Sequence, residues 1–116
     1  MAVVNRLGRV RASTLTNANG SLVIPGFKNA QSVHITLDVT TFTGTNPTLN
    51  VSVFYTDPAS GKDVSVGAFT QVAGALSTQT ILLTGIAPQL KFTWTIGGTA
   101  APAYTFALGM RVTELL

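Results

Sequence analysis

Residues 46–66, NPTLNVSVFYTDPASGKDVSV, have the pattern of a complete β-hairpin. The outgoing segment alternates apolar and polar residues, as expected for a strand with one buried face. Its apolar positions are Leu49, Val51, Val53 and Tyr55. In the loop DPASG at 57–61, Pro58 pre-sets φ for a type I turn, and Gly61 can take the left-handed position that follows it. The hairpin is well specified, but it carries almost nothing that could do chemistry.

The same period-two alternation runs through most of the chain, and no segment has a convincing helical period. Residues 33–40 alternate strictly, but Phe42 is out of step, which predicts a bulge or strand end near Thr40 and Thr41. The breaker GTNP at 44–47 follows. Two further alternating runs are 91–96 and 104–113, separated by a glycine pair at 97 and 98. Shorter strand candidates lie at 22–24, 69–72 and 78–84, and within the first eleven residues.

These runs amount to seven to nine short strands separated by turn signals at regular spacing. Such a rhythm predicts an all-β fold, a single antiparallel β-sandwich or jelly roll with two sheets facing one core. The chain has 116 residues, which is room for one domain. We take 1–116 as that domain, with 1–12 as a basic N-terminal arm or an edge strand. The bulky layer of the core is expected to come from Phe92, Trp94, Tyr104 and Phe106.

The most informative feature of the composition is its low charge. Charged residues make up 9% of the chain, against about 25% in typical soluble domains. A small domain with so few charges is poorly protected against association, so much of its outside is expected to be covered by partners. The alternative is a monomer whose exterior is rich in Thr, Ser, Asn and Gln.

No apolar run is long enough for a membrane-spanning helix or a signal peptide, which makes a cytoplasm the default compartment.

Candidates for catalysis or metal binding are few, because the chain has one His, no Cys and four carboxylates. His34 and Asp38 share a strand face, but at a spacing of four residues their side chains are about 13 Å apart, too far for a hydrogen-bonded dyad. Asp57 and Asp63 flank the hairpin loop. We interpret Asp57 as a turn cap and Asp63 as a solvent-facing residue beside Lys62. The sequence therefore predicts no catalytic residues, no metal site, no cofactor and no enzymatic activity.

The basic residues are concentrated at the start of the chain. The net charge is +3, and Arg6, Arg9 and Arg11 account for three of the seven basic residues. The others are scattered and are not interleaved with exposed aromatics, so nucleic-acid binding is disfavoured. Arginine pairs bidentately with carboxylates, and we therefore predict that these three residues bind an acidic protein surface. The alternative is a frayed, solvated terminus.

Three stretches together resemble a family of small structural proteins of tailed bacteriophages. They are VHITLDVTTFTGTNPTLNVSVFYTDPASG at 33–61, AFTQVAGALSTQTILLTGI at 68–86 and LKFTWTIGGTAAPAYTFALGM at 90–110. The motifs are scaffold-forming rather than catalytic, so no functional residue is carried over. The resemblance implies placement in a virion, as a head decoration or minor capsid protein, after assembly in the cytoplasm of a host bacterium.

The expected function is that of a capsid decoration (cement) protein that binds the lattice of the major capsid protein. We expect a homo-oligomer, with a trimer favoured because cyclic rings can match a capsid axis. One alternative is a tail or head–tail completion protein. Another, from a different class, is a carbohydrate-binding β-sandwich module with Trp94 or Tyr55 as the sugar platform, although both residues lie in the apolar phase of their strands.

Overall fold

The structure, a computed structural model, describes residues 3–27, 30–57, 59–84 and 89–115, without the side chains at 3–7, 9, 13 and 115. All regular structure in these residues is β. The strands are β1 (Val3–Thr16), β2 (Gly20–Pro25), β3 (Ala30–Thr56), β4 (Asp63–Ala68), β5 (Val72–Ala73), β6 (Ser77–Thr84) and β7 (Gln89–Leu115). All pairings are antiparallel. The predicted all-β fold is confirmed.

The centre of the fold is the pair formed by β3 and β7, which have 27 residues each. They pair from the Ala30–Glu114 end to the Phe54–Lys91 end, with shifts in register between Thr43 and Thr48, where both strands bend. On one side of the bend the strand order is β1-β7-β3-β6, which we call the first sheet. On the other side it is β2-β7-β3-β4, with β5 beside β3, which we call the second sheet. This is the arrangement of a jelly roll.

One hydrophobic core lies between the two sheets. Trp94 of the second sheet meets Phe106 of the first edge to face, with ring centroids 5.7 Å apart. The core residues with no exposed surface are Val33, Ile35, Leu37, Leu49, Val53, Phe92, Tyr104, Phe106, Leu108 and Val112. Each large apolar side chain buried in this way stabilises the fold by about 1.5–3 kcal/mol. Alternate residues of β3 and β7 therefore point inward, as the period of two predicts.

The predicted bulge is present, because the β3–β7 register shifts between Val39 and Thr41. The prediction that strands end at 44–47 and at the glycine pair is wrong. Both strands continue through these positions and bend instead, with φ of 103° at Gly44 and 119° at Gly98. Glycine allows this because it lacks the Cβ that makes positive φ costly. The same residues that usually terminate a strand here redirect it from one sheet to the other.

The hairpin at the loop 57–61 is confirmed. The amide of Gly61 donates to the carbonyl oxygen of Asp57 at 2.8 Å, and Gly61 has the expected left-handed φ of 71°. Strand β4 then returns along β3, with Asp63 opposite Thr56. Pro58, to which the turn prediction assigned a role, lies outside the described residues.

Candidate assembly surface

The catalytic candidates lie apart, on the outer face of the first sheet. Nδ1 of His34 is 3.1 Å from a guanidinium nitrogen of Arg111. Asp38 accepts a hydrogen bond from the hydroxyl of Thr78 at 3.2 Å. The imidazole and the carboxylate thus have different partners. In the part of the chain that the structure describes, no group of three or more His, Cys, Asp or Glu residues could hold a metal ion.

The two acids of the hairpin loop have structural roles. Asp57 accepts a hydrogen bond from the Ser60 hydroxyl at 2.8 Å, and this bond, with others from the backbone, lowers the pKa of Asp57. The turn-cap prediction for Asp57 is therefore confirmed. Asp63 is exposed, as predicted, and it also forms a 2.9 Å ion pair with Lys91, which lowers the pKa of Asp63. This partner comes from β7 and is distant in sequence.

Arg11 is engaged within its own chain. Its guanidinium carbon lies 3.9 Å from the ring centroid of Phe106 and 5.2 Å from that of Trp94. The group also donates to the carbonyl oxygen of Phe106 and to the hydroxyl of Thr16. Burial lowers the pKa of Arg11. These contacts join β1 to both sheets, so the guanidinium closes one margin of the core.

Replacing Arg11 by methionine is expected to lower the free energy of unfolding by about 1 kcal/mol, because the cation–π contact and a hydrogen bond to a carbonyl are lost while the apolar stem is kept. The loss of stability is measured by thermal unfolding, monitored through the fluorescence of the single tryptophan. The control is Lys62→Met in the exposed hairpin loop, which should leave the midpoint unchanged. Equal midpoints for both variants would contradict a stabilising role for Arg11.

Arg6 and Arg9 remain the predicted partner-binding residues. Both lie in β1, which pairs with β7 and with no other strand among the described residues, and their backbones are opposite Val112 and Gly109. Their side chains lie outside the described part of the structure. Residues 3–12 therefore belong to an edge strand. That Arg6 and Arg9 bind a partner stays a prediction.

The two candidate sugar platforms are not open rings on a flat face. Trp94 is partly buried against the core and lies beneath Arg11 and beside Phe106. A Cβ at Gly20 would come within 2.6 Å of the Trp94 ring, so the indole also packs closely against β2. Tyr55 is half-buried. The contacts of Trp94 thus fit its place in the apolar phase of its strand, which disfavours it as a sugar platform.

The outer face of the first sheet is the most distinctive surface of the described chain, and we call it the assembly face. Its side chains form three cross-strand rows, given by the register of β6, β3 and β7. These rows are Leu82–His34–Arg111, Thr80–Thr36–Gly109 and Thr78–Asp38–Ala107. Leu82 is 55% exposed. The residues in the middle of the β6, β3 and β7 rows are small, and the charged side chains described on these three strands, Arg111 and Asp38, stand in opposite outer rows. The backbone of Arg9 on β1 lies opposite Gly109, at the edge of the middle row.

A shallow groove of about 470 Å³ crosses the assembly face. It is lined by His34, Thr36, Thr80, Gly109 and Arg111, together with Gly8 and Met110. The groove exists because Gly109 has no side chain between Thr36 on β3 and the backbone of Arg9 on β1. The assembly face could be found in part from the sequence, since His34, Thr36 and Asp38 alternate with buried residues, but the position of Arg111 beside His34 depends on the register of β7.

No protein-family model and no curated protein matches the sequence. Similar solved structures do exist. One is a chain of infectious bursal disease virus, Gx strain, with a TM-score of 0.58 and 11% identity over 98% of this chain and 33% of that chain. The VP2 subviral particle of the same virus gives 0.54 and 11% over 97% and 33%. A chain from the disulfide-linked pili of Bacillus endospore appendages gives 0.50 and 19% over 97% and 89%.

These likenesses show the fold. The chain spans about a third of the length of the two viral chains and most of the pilus chain. The described residues contain no helix long and apolar enough to cross a membrane. At such low identity, the comparisons show that this chain shares its β architecture with a viral particle protein and a pilus subunit.

Proposed function

We propose that this chain is a structural protein of a virion, and more specifically a capsid decoration protein of a tailed bacteriophage that binds the lattice of the major capsid protein. The observation that carries the proposal is the likeness of nearly the whole chain, 97%, to part of the VP2 subviral particle. The phage assignment rests on the family resemblance of residues 31–110. The chain acts by adhesion and not by catalysis, as its scattered carboxylates and single imidazole suggest.

The N-terminal arm and the sheet edges are the surfaces that we expect to contact the capsid lattice, since Arg6 and Arg9 lie in the edge strand β1. Each contact of this kind is weak alone. On a lattice, simultaneous engagement of several sites raises the overall affinity by orders of magnitude. An oligomer bound to repeating subunits would therefore hold firmly without large charged patches.

The direct test is to add the purified chain to matching phage capsids that lack it and to measure sedimentation with the particles and their resistance to heat. We expect saturable binding at a fixed ratio to the major capsid protein and a higher temperature of capsid disruption. Cryo-electron microscopy of the decorated particle then locates the chain. Density in the tail or at the head–tail junction would favour the completion-protein alternative, and absence of the chain from finished particles would refute a virion role.

A second candidate is a subunit of an extracellular fibre. It is favoured by the pilus likeness, which extends over 89% of the pilus chain and so involves the whole module. The 116 residues contain no cysteine, so the subunits of such a fibre would not be joined by disulfides. Electron microscopy of the concentrated protein distinguishes the two candidates, because a fibre subunit forms filaments without any capsid present.

A further inference from the structure

The assembly face carries two opposite charges that do not neutralise each other. Arg111 is exposed, and its bonded partner among the described side chains is Nδ1 of His34 at 3.1 Å. Arginine can only donate, so Nδ1 of His34 is the acceptor in this contact. Asp38 is bonded to a hydroxyl, that of Thr78. Each charge therefore lacks an oppositely charged neighbour within the described structure.

The outer face of the second sheet is different. There Lys91 and Asp63 lie 2.9 Å apart and neutralise each other. Both are partly exposed, so this pair has the form of an ordinary surface ion pair and needs no external partner. The contrast identifies the assembly face as a surface where a partner could supply charges that the described side chains do not.

The positions of the two charges are related by a simple symmetry. Arg111 and His34 form one outer row, Asp38 and Ala107 form the other, and Thr36 and Gly109 lie halfway between them. The outer rows are four residues apart along the strands, or about 13 Å. Consider two copies whose first sheets face each other, related by a two-fold axis that runs perpendicular to the strands along the Thr36 row. This rotation places each outer row of one copy over the opposite outer row of the other. Arg111 of one copy then lies over Ala107 of the second copy, one strand away from Asp38 of that second copy.

We propose that the assembly face is a self-association surface on which a second copy of this chain packs face to face about that two-fold axis, with Arg111 of each copy paired to Asp38 of the other. Such an isologous contact makes every attractive pair twice. Thr36, Ala107 and Gly109 are small, which allows the two sheets to approach to the usual spacing of about 10 Å. Leu82, exposed at the margin, is expected to lose solvent contact on pairing.

The inference goes beyond virion placement, since it names the face that joins two copies wherever the protein resides. It also differs from the threefold ring that capsid symmetry suggests. The mass of the oligomer distinguishes the two-fold dimer from the threefold ring. If the protein failed to bind capsids, the dimer could still form.

The test is sedimentation equilibrium of the full chain at low salt, over concentrations up to about 1 mM, the range of weak association. We expect the wild type to form a dimer. Arg111→Asp and Asp38→Arg should each weaken it roughly tenfold or more, because like charges then face each other twice. The double variant should restore association, since the charges are merely exchanged. Lys62→Asp changes the net charge as Arg111→Asp does, but it lies in the hairpin loop and should have no effect.

A second measurement does not depend on charge. The chain has no cysteine, so Thr36→Cys introduces a single thiol on the proposed axis, opposite its own copy. A short bis-maleimide reagent should convert this variant into a covalent dimer. Thr93→Cys, on the second sheet, should not be cross-linked. A monomeric wild type, a trimer unaffected by the charge reversals, failure of the double variant to associate, or equal cross-linking of both thiol variants would each overturn the proposal.

Discussion

Replacing Gly44 by alanine is expected to lower the free energy of unfolding by about 3 kcal/mol or more. Gly44 lies where β3 bends from the first sheet to the second, at φ 103°. A Cβ there would lie 2.7 Å from the Cα of Pro102 and 3.0 Å from the carbonyl oxygen of Thr99. Both atoms belong to the backbone of β7, so no flexible side chain can move aside. Urea denaturation, with the midpoint and slope compared to the wild type, measures the loss.

The matched control is Gly61→Ala in the hairpin loop. Gly61 also has a positive φ, 71°, but a Cβ at this position would meet no atom within 4 Å. Alanine there has only the left-handed conformation to oppose it, which costs about 1 kcal/mol. The difference between the two variants therefore reports the close approach of β3 and β7 at the bend together with the φ of Gly44, which lies farther from the left-handed region that alanine can adopt. Similar losses for both would show that this approach is not tight.

The strands and their inward faces could be predicted from the sequence because alternation is a local property. Residues 33–39 and 104–108 each alternate buried and partly exposed positions as expected. The bend could not be predicted in this way. Whether glycine at 44 or at 98 ends a strand or redirects it depends on whether the partner strand continues alongside, and that partner is some fifty residues away in the sequence.

The roles of the basic residues show the same limit. Arg11 was predicted to bind a partner because it belongs to a cationic segment, yet its guanidinium lies on Phe106, 95 residues away, inside the same chain. Aromatic contacts of this kind depend on how the sheets stack. Arg111, by contrast, was one scattered charge in the sequence, and only the strand register places it beside His34 and in the row opposite Asp38.

Replacing Tyr104 by phenylalanine is expected to lower the free energy of unfolding by about 2 kcal/mol, although only one oxygen is removed. Tyr104 has no exposed surface. Its hydroxyl donates to the carbonyl oxygen of Pro47 at 2.6 Å and accepts from the amide of Gly74 at 3.2 Å. The hydroxyl thus ties the first sheet to the bend of β3 and to the end of β5. Without it, buried backbone groups lose a partner that water cannot easily replace.

Hydrogen exchange separates this local tether from a general weakening of the core. In Tyr104→Phe we expect the largest increase in exchange rate at Gly74, whose amide keeps only its bond to Pro47. Residues 33–39 should show a smaller and uniform increase, which reflects the lower free energy of global unfolding. The control is Tyr55→Phe, because the Tyr55 hydroxyl has no hydrogen bond within the described residues, so the free energy of unfolding should change by nearly zero. An increase at Gly74 no larger than that at residues 33–39 would contradict the tether.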